Sequence, residues 1–510
     1  MHCEMADAGI IRPMNRTLLG TLCAVGLLAA PVLHAEGFWL PPGDQRLRDD
    51  ITLLVDEGVL RLPLMGWPLP MADVRAALQD VNEDTAGTAA LQLALARLRS
   101  RVAEPANAQD WVIRETAATI GRAPIMRDFG SVAREDGELR STGGTSNDRW
   151  GATVSLTAAL HAQDGKTLRL DNSDITVRWG NWLFSANTLD RWWGPGQSGS
   201  LILSTNARPM ANLSVDRNLS TPVDMPVLRW FGPWRASAFI SRAEQSRSDL
   251  TGSLFMGMRF SFSPVPILEL GLSRTAQFCG QNAAGTRPKC GVSQILRSLS
   301  GTDNPSGDLL SNDEPGNQMA GFDARVVSPI RALPVAAYAQ AIGEDANHRV
   351  PVRFLSLVGL ESWAQFESGS SLRAQLEYAS TNATCTRGDC NPGYAYYNHI
   401  FTGGYQYLGR VMGYTTDADS RTVSAALRWS MPDGQVWSLK TRNGTLNSYG
   451  AATYSTVSPR RSTYDSAEVG WRGEVRGLDL SVVAGYEKQD PSAGPRRDGP
   501  YGFIRWQQRL

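Results

Sequence analysis

The sequence predicts an all-β transmembrane barrel of the bacterial outer membrane, with about eighteen antiparallel strands and a small N-terminal α-helical bundle at the periplasmic end. Three observations lead to this prediction. Apolar and polar residues alternate along many segments, the first residues have the composition of an export signal, and no later stretch of about 18 apolar residues is available for a membrane-spanning helix. A chain that crosses a membrane without such helices must close its sheet, because unpaired backbone groups are too costly in hydrocarbon.

Residues 1–35 have the three parts of a signal peptide. Arg16, with Arg12 if translation begins at the first methionine, supplies the positive charge. Leu18–Val32 forms the apolar stretch, and Leu33-His34-Ala35 is a small-residue cleavage site. The alternative is an uncleaved anchor, but the apolar stretch is too short to span about 30 Å. We therefore expect cleavage near residue 35 and export to the outer membrane of a Gram-negative cell.

Residues 36–108 have helical periodicity and are predicted to form a periplasmic bundle. Asp44 can cap a helix that runs to about Glu57, where a glycine follows as a stop. Further helices fit Met71–Val81 and Ala89–Val102, each with apolar residues on one face. The outer face of the last helix is expected to carry Arg97, Arg99 and Arg101. We expect the bundle to pack on the inner mouth of the barrel; a free helical cap is the alternative.

Residues 109–510 consist of strand-like segments and turns and are predicted to form the barrel. The clearest alternating segments are Trp150–His161, Leu254–Phe262, Leu372–Tyr378, Thr422–Trp429 and Leu480–Glu487. Successive side chains of a strand point to opposite faces, so one face is apolar toward lipid and the other polar toward the lumen. The expected extracellular loops are Gln281–Glu314, Asn382–Met412 and Asn447–Arg461. The expected closing strand is Tyr501–Trp506.

Composition bears on the partners of the chain. Fifty Lys and Arg residues balance fifty Asp and Glu residues, which argues against a nucleic-acid partner. Fifteen Trp residues are many for this length and are typical of the aromatic girdles at the two lipid interfaces of a barrel. We expect a monomer that contacts outer-membrane lipid.

Four cysteines follow the signal segment, as two close pairs in polar stretches. In an oxidising compartment the expected loop disulfides are Cys279–Cys290 and Cys385–Cys390, although four cysteines allow three connectivities. A metal site is the alternative, but neither pair has a neighbouring histidine or a Cys-x-x-Cys spacing. We predict no metal and no cofactor.

Several segments are too irregular to be explained by strand alternation. They are Asp190-Arg191-Trp192-Trp193-Gly194-Pro195-Gly196, Ala207-Arg208-Pro209-Met210, Leu228-Arg229-Trp230-Phe231-Gly232-Pro233-Trp234, Asp313–Asp323 and Gly343-Glu344-Asp345. With Leu47–Asp50 and Gly66–Leu69, they resemble the capsule assembly protein Wzi family over nearly the whole mature chain. The Trp-Trp-Gly-Pro-Gly motif is among the most specific of these features.

The resemblance implies both a fold and a function. Members of this family are outer-membrane β-barrels with a periplasmic helical bundle, and they act as lectin-like anchors of capsular polysaccharide. This chain is therefore expected to anchor a capsular or related extracellular polysaccharide, with no catalytic residue. The residues agree, since three histidines outside the signal and no Gly-x-Ser-x-Gly leave no nucleophile motif. The alternative function is a porin-like channel for small hydrophilic solutes.

Aromatic residues are the candidates for contact with a polysaccharide, because their faces pack on the apolar faces of sugar rings. Trp192 and Trp193 are the first candidates; their alternative role is a girdle and a rigid turn at the barrel rim. The second group is a loop rich in Tyr and Gly, which combine rigid contact area with an adaptable backbone. It comprises Arg387, Tyr394, Tyr396, Tyr397, His399, Tyr405 and Tyr407. An aromatic girdle along one strand is the alternative for this group.

Charged residues of the irregular segments and strands are expected to form a network that fills the polar lumen of the barrel. Its acids are Asp313, Glu314, Glu344 and Asp345, and its bases are Arg208, Arg229, Arg259 and Arg325. Alternatively, the carboxylates hydrogen-bond sugar hydroxyls or bind calcium.

Overall fold

A computed structural model describes most of the chain after the predicted signal segment. The described residues are 37–79, 81, 87–103, 111–120, 123–130, 134–247, 249–281, 290, 293, 316–344, 346–347, 350–351, 353–385 and 392–509. The predicted cleavage site at residue 35 lies outside them.

Three helices form where the sequence predicts them: α1 (Gln45–Asp56), α2 (Met71–Gln79) and α3 (Ala89–Val102). Asp44 caps α1 by accepting a hydrogen bond from the Leu47 amide, and Thr88 caps α3 through the Leu91 amide. Their apolar faces join one buried cluster, so the helices form a bundle. None of the described helices is both long and apolar enough to cross a membrane.

The outer face of α3 differs from the prediction. Arg97 is not free at the surface, because its guanidinium lies 2.6 Å from the Asp50 carboxylate of α1. Arg99 donates to the Val81 carbonyl oxygen at 2.7 Å. These contacts fasten α3 to the rest of the bundle.

Eighteen strands of the described chain form one antiparallel ring. In chain order they are β1 (Trp111–Ile120), β2 (Gly137–Ser146), β3 (Trp150–Leu160), β4 (Asp174–Trp179), β5 (Trp182–Asn187), β6 (Asn212–Arg217), β7 (Trp234–Arg242), β8 (Leu254–Val265), β9 (Leu268–Phe278), β10 (Gly316–Val327), β11 (Val335–Gly343), β12 (Arg353–Gln365), β13 (Ser371–Cys385), β14 (Arg421–Ser430), β15 (Val436–Leu446), β16 (Ser462–Val475), β17 (Leu478–Pro491) and β18 (Arg497–Arg509). Each pairs with the next, and β18 pairs with β1, which closes the barrel. The predicted closing strand Tyr501–Trp506 lies within β18.

Short elements lie beside this ring. Leu168–Arg169 pairs with β3, and a 3-10 turn spans Leu228–Phe231. The other short strands form antiparallel pairs: Trp39–Leu40 with Leu69–Pro70, Gly66–Trp67 with Trp192–Trp193, Ala346–Asn347 with Val350–Pro351, and Gln406–Tyr407 with Arg410–Val411.

The alternation predicted from the sequence matches the two faces of the wall. In β3, Val154 and Leu156 are 58% and 48% exposed on the outside. Their neighbours Ser155 and Thr157 are fully buried on the inside. An apolar outer face and a polar inner face are the pattern of a barrel that lies in lipid.

The two ends of the barrel differ in the length of their connections. At one end β4–β5, β8–β9 and β16–β17 are joined by two residues each, at 180–181, 266–267 and 476–477. The helical bundle lies at this end, where Arg61 donates to the Ser263 carbonyl oxygen at 3.3 Å. Four longer connections, 188–211, 279–315, 386–420 and 447–461, lie at the other end, and one, 218–233, lies at the bundle end. Short turns face the periplasm in bacterial barrels.

The connection between β5 and β6 folds into the lumen, which the sequence did not reveal. Leu201 and Ile202 of this connection are fully buried. They join a cluster that includes Phe255 of β8 and Leu355 and Leu357 of β12. Residues 188–211 are therefore an internal plug, called the luminal segment below.

Candidate functional site

The Trp-Trp-Gly-Pro-Gly motif lies inside the barrel, at the base of the luminal segment. Trp192 and Trp193 pair with Gly66–Trp67 and are each 1% exposed. The Phe129 ring lies edge-on to the Trp192 indole, with 5.3 Å between centroids. In this position neither indole can stack on an external sugar, and the rigid-turn alternative fits the geometry.

The turn after the two tryptophans is held from both sides. Arg48 of α1 donates to the carbonyl oxygens of Pro195 and Gly196, each at 3.0 Å. Gly194 has a φ of 140°, and a Cβ there would lie 2.5 Å from the Gln340 side-chain nitrogen of β11. The motif therefore requires glycine at this position and joins the bundle to the wall.

Two of the predicted loop tyrosines are buried under the luminal segment. The rings of Tyr396 and Tyr405 stack with centroids 5.7 Å apart, and their hydroxyls donate to the carbonyl oxygens of Leu201 and Ile202. Burial raises the pKa of both hydroxyls. The amide of Tyr396 also donates to the Glu344 carboxylate. These tyrosines thus fix the loop 392–420 and are inaccessible to a polymer.

Three other predicted residues, Tyr394, Tyr397 and His399, lie at the surface on the end opposite the bundle. Tyr397 is half-buried and contacts Tyr454, with ring centroids 5.1 Å apart. Tyr394 is half-buried beneath the Arg353 guanidinium, which lies 3.7 Å from its ring centroid. His399 is exposed. We call Arg353, Tyr394, Tyr397, His399 and Tyr454 the aromatic loop patch.

Tyr454 was missed by the sequence reasoning. It belongs to the connection 447–461, which the sequence identified as a loop without weighing its tyrosines. Its hydroxyl donates to the carbonyl oxygens of Gly393 and Ala395, so it links two extracellular loops. The signal that could have identified it is the presence of a tyrosine in a second long loop.

The remaining members of the predicted group do not join this patch. Tyr407 lies half-buried in the short hairpin Gln406–Val411, where burial raises its pKa to about 12. Arg387 lies outside the described residues.

Three of the four predicted arginines line the lumen in ion pairs. Arg259 lies 2.8 Å from Asp323. Arg325 lies 2.6 Å from Asp56. Arg208 contacts three carboxylates, Asp171 at 2.5 Å, Glu138 at 2.9 Å and Glu135 at 3.1 Å. Burial opposes the charge of Arg208, but these carboxylates outweigh it and raise its pKa.

The prediction for Arg229 is wrong, and the acids that pair with the described arginines of the network were not among those predicted. Arg229 is exposed in the 3-10 turn between β6 and β7. The turn packs against the outside of the wall through Phe231, whose ring centroid lies 5.0 Å from that of Phe262. Of the predicted acids, Glu344 bonds an amide, while Asp313, Glu314 and Asp345 lie outside the described residues.

Acids of the bundle pair with arginines of the wall. Asp44 lies 2.6 Å from Arg472, and Asp49 lies 2.8 Å from Arg428. Asp56 bridges Arg325 and Arg373, at 2.6 and 3.1 Å. The bundle, the luminal segment and these ion pairs together occupy the interior of the barrel.

The charge of Asp44 is expected to stabilise the fold in a pH-dependent way. Burial alone would raise its pKa, but Arg472 outweighs burial and lowers it. A carboxyl with a lowered folded pKa stabilises above its unfolded pKa of about 3.9, and this contribution is lost as the pH falls through the folded pKa. Asp44→Asn keeps a capping oxygen and loses the charge. We expect its deficit in the urea midpoint to be greatest at pH 7 and smaller at pH 3; an equal deficit at both would contradict the ion-pair explanation.

The structure joins Cys279 and Cys290 by a disulfide. The second predicted pair cannot be followed, because Cys390 lies outside the described residues. In the described part of the chain, no group of three or more His, Cys, Asp or Glu residues has the geometry of a metal site.

A closed barrel with an apolar outer wall, a plugged lumen and long loops at one end is typical of the β-barrel proteins of the bacterial outer membrane. The family "Capsule assembly protein Wzi" matches residues 110–493. The chain therefore belongs to the Wzi capsule assembly family, as its motifs predicted, and it is an outer-membrane protein.

Similar proteins are found in Klebsiella pneumoniae, Escherichia coli and Pseudomonas aeruginosa, among other bacteria. The chain is 27% identical over 459 residues to an uncharacterized 55.8 kDa protein in the cps region of Klebsiella pneumoniae, over 88% of this chain and 86% of that one. It is 25% identical to Wzi of Escherichia coli, described as an outer membrane protein involved in group 1 capsule assembly and as a carbohydrate-binding β-barrel. That structure has a TM-score of 0.79 over 92% of this chain and 98% of its own. OprD of Pseudomonas aeruginosa is 10% identical with a TM-score of 0.42, over 79% of this chain and 94% of its own.

Proposed function

We propose that the protein binds capsular polysaccharide, or a related exopolysaccharide, at the cell surface and anchors it there. The observation that carries this proposal is the aromatic loop patch on the end with the long connections. Its rings and its guanidinium are the groups that stack on sugars and attract acidic ones. Membership of the Wzi family and the carbohydrate binding named for the Escherichia coli protein support the same function.

The filled lumen favours an anchor over a porin-like channel. A channel requires a continuous water path, whereas Trp192 and Leu201 of the luminal segment are buried in apolar clusters. Asp56 of the bundle is also locked to two wall arginines. Loops on a barrel with a fixed interior are held in place for binding.

We also propose how the chain is organised in the cell. The segment 1–35 is removed on export, 36–108 forms the periplasmic bundle, and 109–510 forms the barrel. The barrel acts as a monomer whose outer face contacts lipid, and binding involves no catalytic step.

The proposal is tested by deleting the gene and assaying polysaccharide on the cells and in the medium. We expect polymer to move from the cell-bound to the free fraction with the total unchanged, and wild-type complementation to restore retention. Unchanged retention would contradict the anchoring function. Stepwise porin-like conductance of the purified protein in a planar bilayer would then favour the channel.

A further inference from the structure

A polar cavity of about 180 Å³ lies inside the barrel, apart from the aromatic loop patch. It lies between residues 37–44 and the inner wall at β18, β2, β3 and β4. Side chains that line it include Trp39, Asp44, Arg140, Thr142, Ser155 and Arg505.

Arg505 is the unusual member of this lining. It is 7% exposed, and within the described residues it makes no hydrogen bond or ion pair; its Nε is buried without a partner. The acid that acts on it electrostatically, Asp44, already pairs with Arg472 at 2.6 Å. A buried charge is costly unless it is paired, so an anion in the cavity would complete the environment of Arg505.

The acids that line the cavity leave no carboxylate for Arg505. Among the described lining residues they are Asp44, Asp174 and Asp190. Asp190 is already engaged by Arg134 at 2.6 Å, and Asp174 accepts a hydrogen bond from Thr176 at 2.6 Å. With Asp44 paired to Arg472, an anionic ligand is the counter-ion that Arg505 lacks among the described residues.

The other lining groups are suited to a hydroxylated ring. The hydroxyls of Thr142 and Ser155 lie 2.8 Å apart, and each can exchange this bond for one with a ligand. The Trp39 indole nitrogen donates to Thr176 at 3.0 Å, which holds the ring in the lining. A guanidinium, hydroxyls and an aromatic ring together are the groups that bind an acidic sugar.

The cavity adjoins a groove at the end of the barrel that carries the bundle. This polar groove, of about 600 Å³, lies between α1, α3 and the β16–β17 turn. It shares Asp44, Leu47, Arg101 and Gln507 with the cavity. This groove is the side from which a ligand would enter the cavity.

We propose that this cavity is a second, internal binding site for an acidic monosaccharide unit, a sugar ring with a carboxylate, entered from the periplasmic side. Arg505 binds the carboxylate, and the hydroxyls of Thr142 and Ser155 bind the ring. The site goes beyond the proposed anchoring function and does not depend on it, because no residue of the aromatic loop patch lines the cavity.

Calorimetric titration of the purified full-length mature protein with D-glucuronate tests the proposal. We expect binding to glucuronate, at least tenfold weaker binding to D-glucose, and at least tenfold weaker glucuronate binding in Arg505→Gln. The matched control is Arg496→Gln, since Arg496 is an exposed arginine of the preceding connection and pairs with Asp498. Its affinity should equal that of the wild type.

Three outcomes would overturn the proposal: no glucuronate binding by the wild type, unchanged binding in Arg505→Gln, or inorganic phosphate binding as tightly as glucuronate. If Arg505→Gln does not fold, Thr142→Val removes one ring contact without touching a charge, and its affinity should fall severalfold. Polymer retention on cells is a separate measurement, so failure here leaves the anchoring function standing, and the reverse also holds.

Discussion

Arg208→Ala is expected to destabilise the barrel by about 3–5 kcal/mol, the cost typical of removing one partner from a buried ion pair. Arg208 is 5% exposed, and its guanidinium neutralises Asp171, Glu135 and Glu138 at once. Alanine would leave these three carboxylates close together in a poorly hydrated interior. They would repel one another and take up protons to relieve the repulsion.

The measurement is the urea midpoint of the refolded protein in detergent, followed by the electrophoretic shift between folded and heat-denatured forms. Arg229→Ala is the matched control, because Arg229 was predicted to belong to the same luminal network but lies at the surface in the structure. Surface substitutions of this kind change stability by about 0.5 kcal/mol or less. Equal effects of the two substitutions would refute the assignment of Arg208 to a buried network.

The elements that the sequence predicted well are those governed by local rules. The cap at Asp44 and the apolar spacing of α1 and α3 involve residues within four positions of each other, and these helices begin where expected. The strands follow the period of two, which shows which face of a segment meets lipid without any knowledge of its neighbours.

The same period explains why Arg259 was placed correctly and Arg229 was not. Arg259 lies within β8 between Met258 and Phe260, so the alternation assigns it to the inner face. Arg229 lies in a 3-10 turn, where successive side chains do not alternate between two faces. Outside a strand, the sequence provides no rule for the side on which a charge lies.

The position of the luminal segment inside the barrel depends on long-range contacts that no local sequence pattern reveals. Trp192 is buried by Phe129 and Trp67, and Tyr405 by Leu201 and Ile202, all of them distant in sequence. An aromatic residue in a polar connection has the same local sequence whether the connection covers the barrel or enters it. The binding candidates could therefore be selected by residue type, but the structure was needed to separate buried from accessible ones.

Among the accessible ones, Tyr397 and His399 are expected to contribute most to binding. The double variant Tyr397→Ala/His399→Ala should bind the purified polysaccharide ten- to hundredfold more weakly, which corresponds to about 1.4–2.8 kcal/mol. The substitution removes an aromatic face next to Tyr454 and an exposed imidazole, while the hydrogen bonds that link the loops through the Tyr454 hydroxyl remain. Large aromatic side chains dominate the energetics of contact surfaces of this kind.

Two further variants separate a binding role from a structural one. Tyr397→Phe keeps the ring and should retain nearly full affinity, because stacking requires the face and not the hydroxyl. Tyr486→Ala removes an exposed tyrosine from the lipid side of β17 and should leave binding unchanged. Affinity is measured on immobilised polymer, with folding checked by the electrophoretic shift. If the double variant folds and binds like the wild type, the aromatic loop patch is not the polysaccharide site. If the double variant folds and loses affinity, burial explains the division of roles. The stacked Tyr396 and Tyr405 hold the loop 392–420 in place, and the more accessible Tyr397 and His399 contact the polymer.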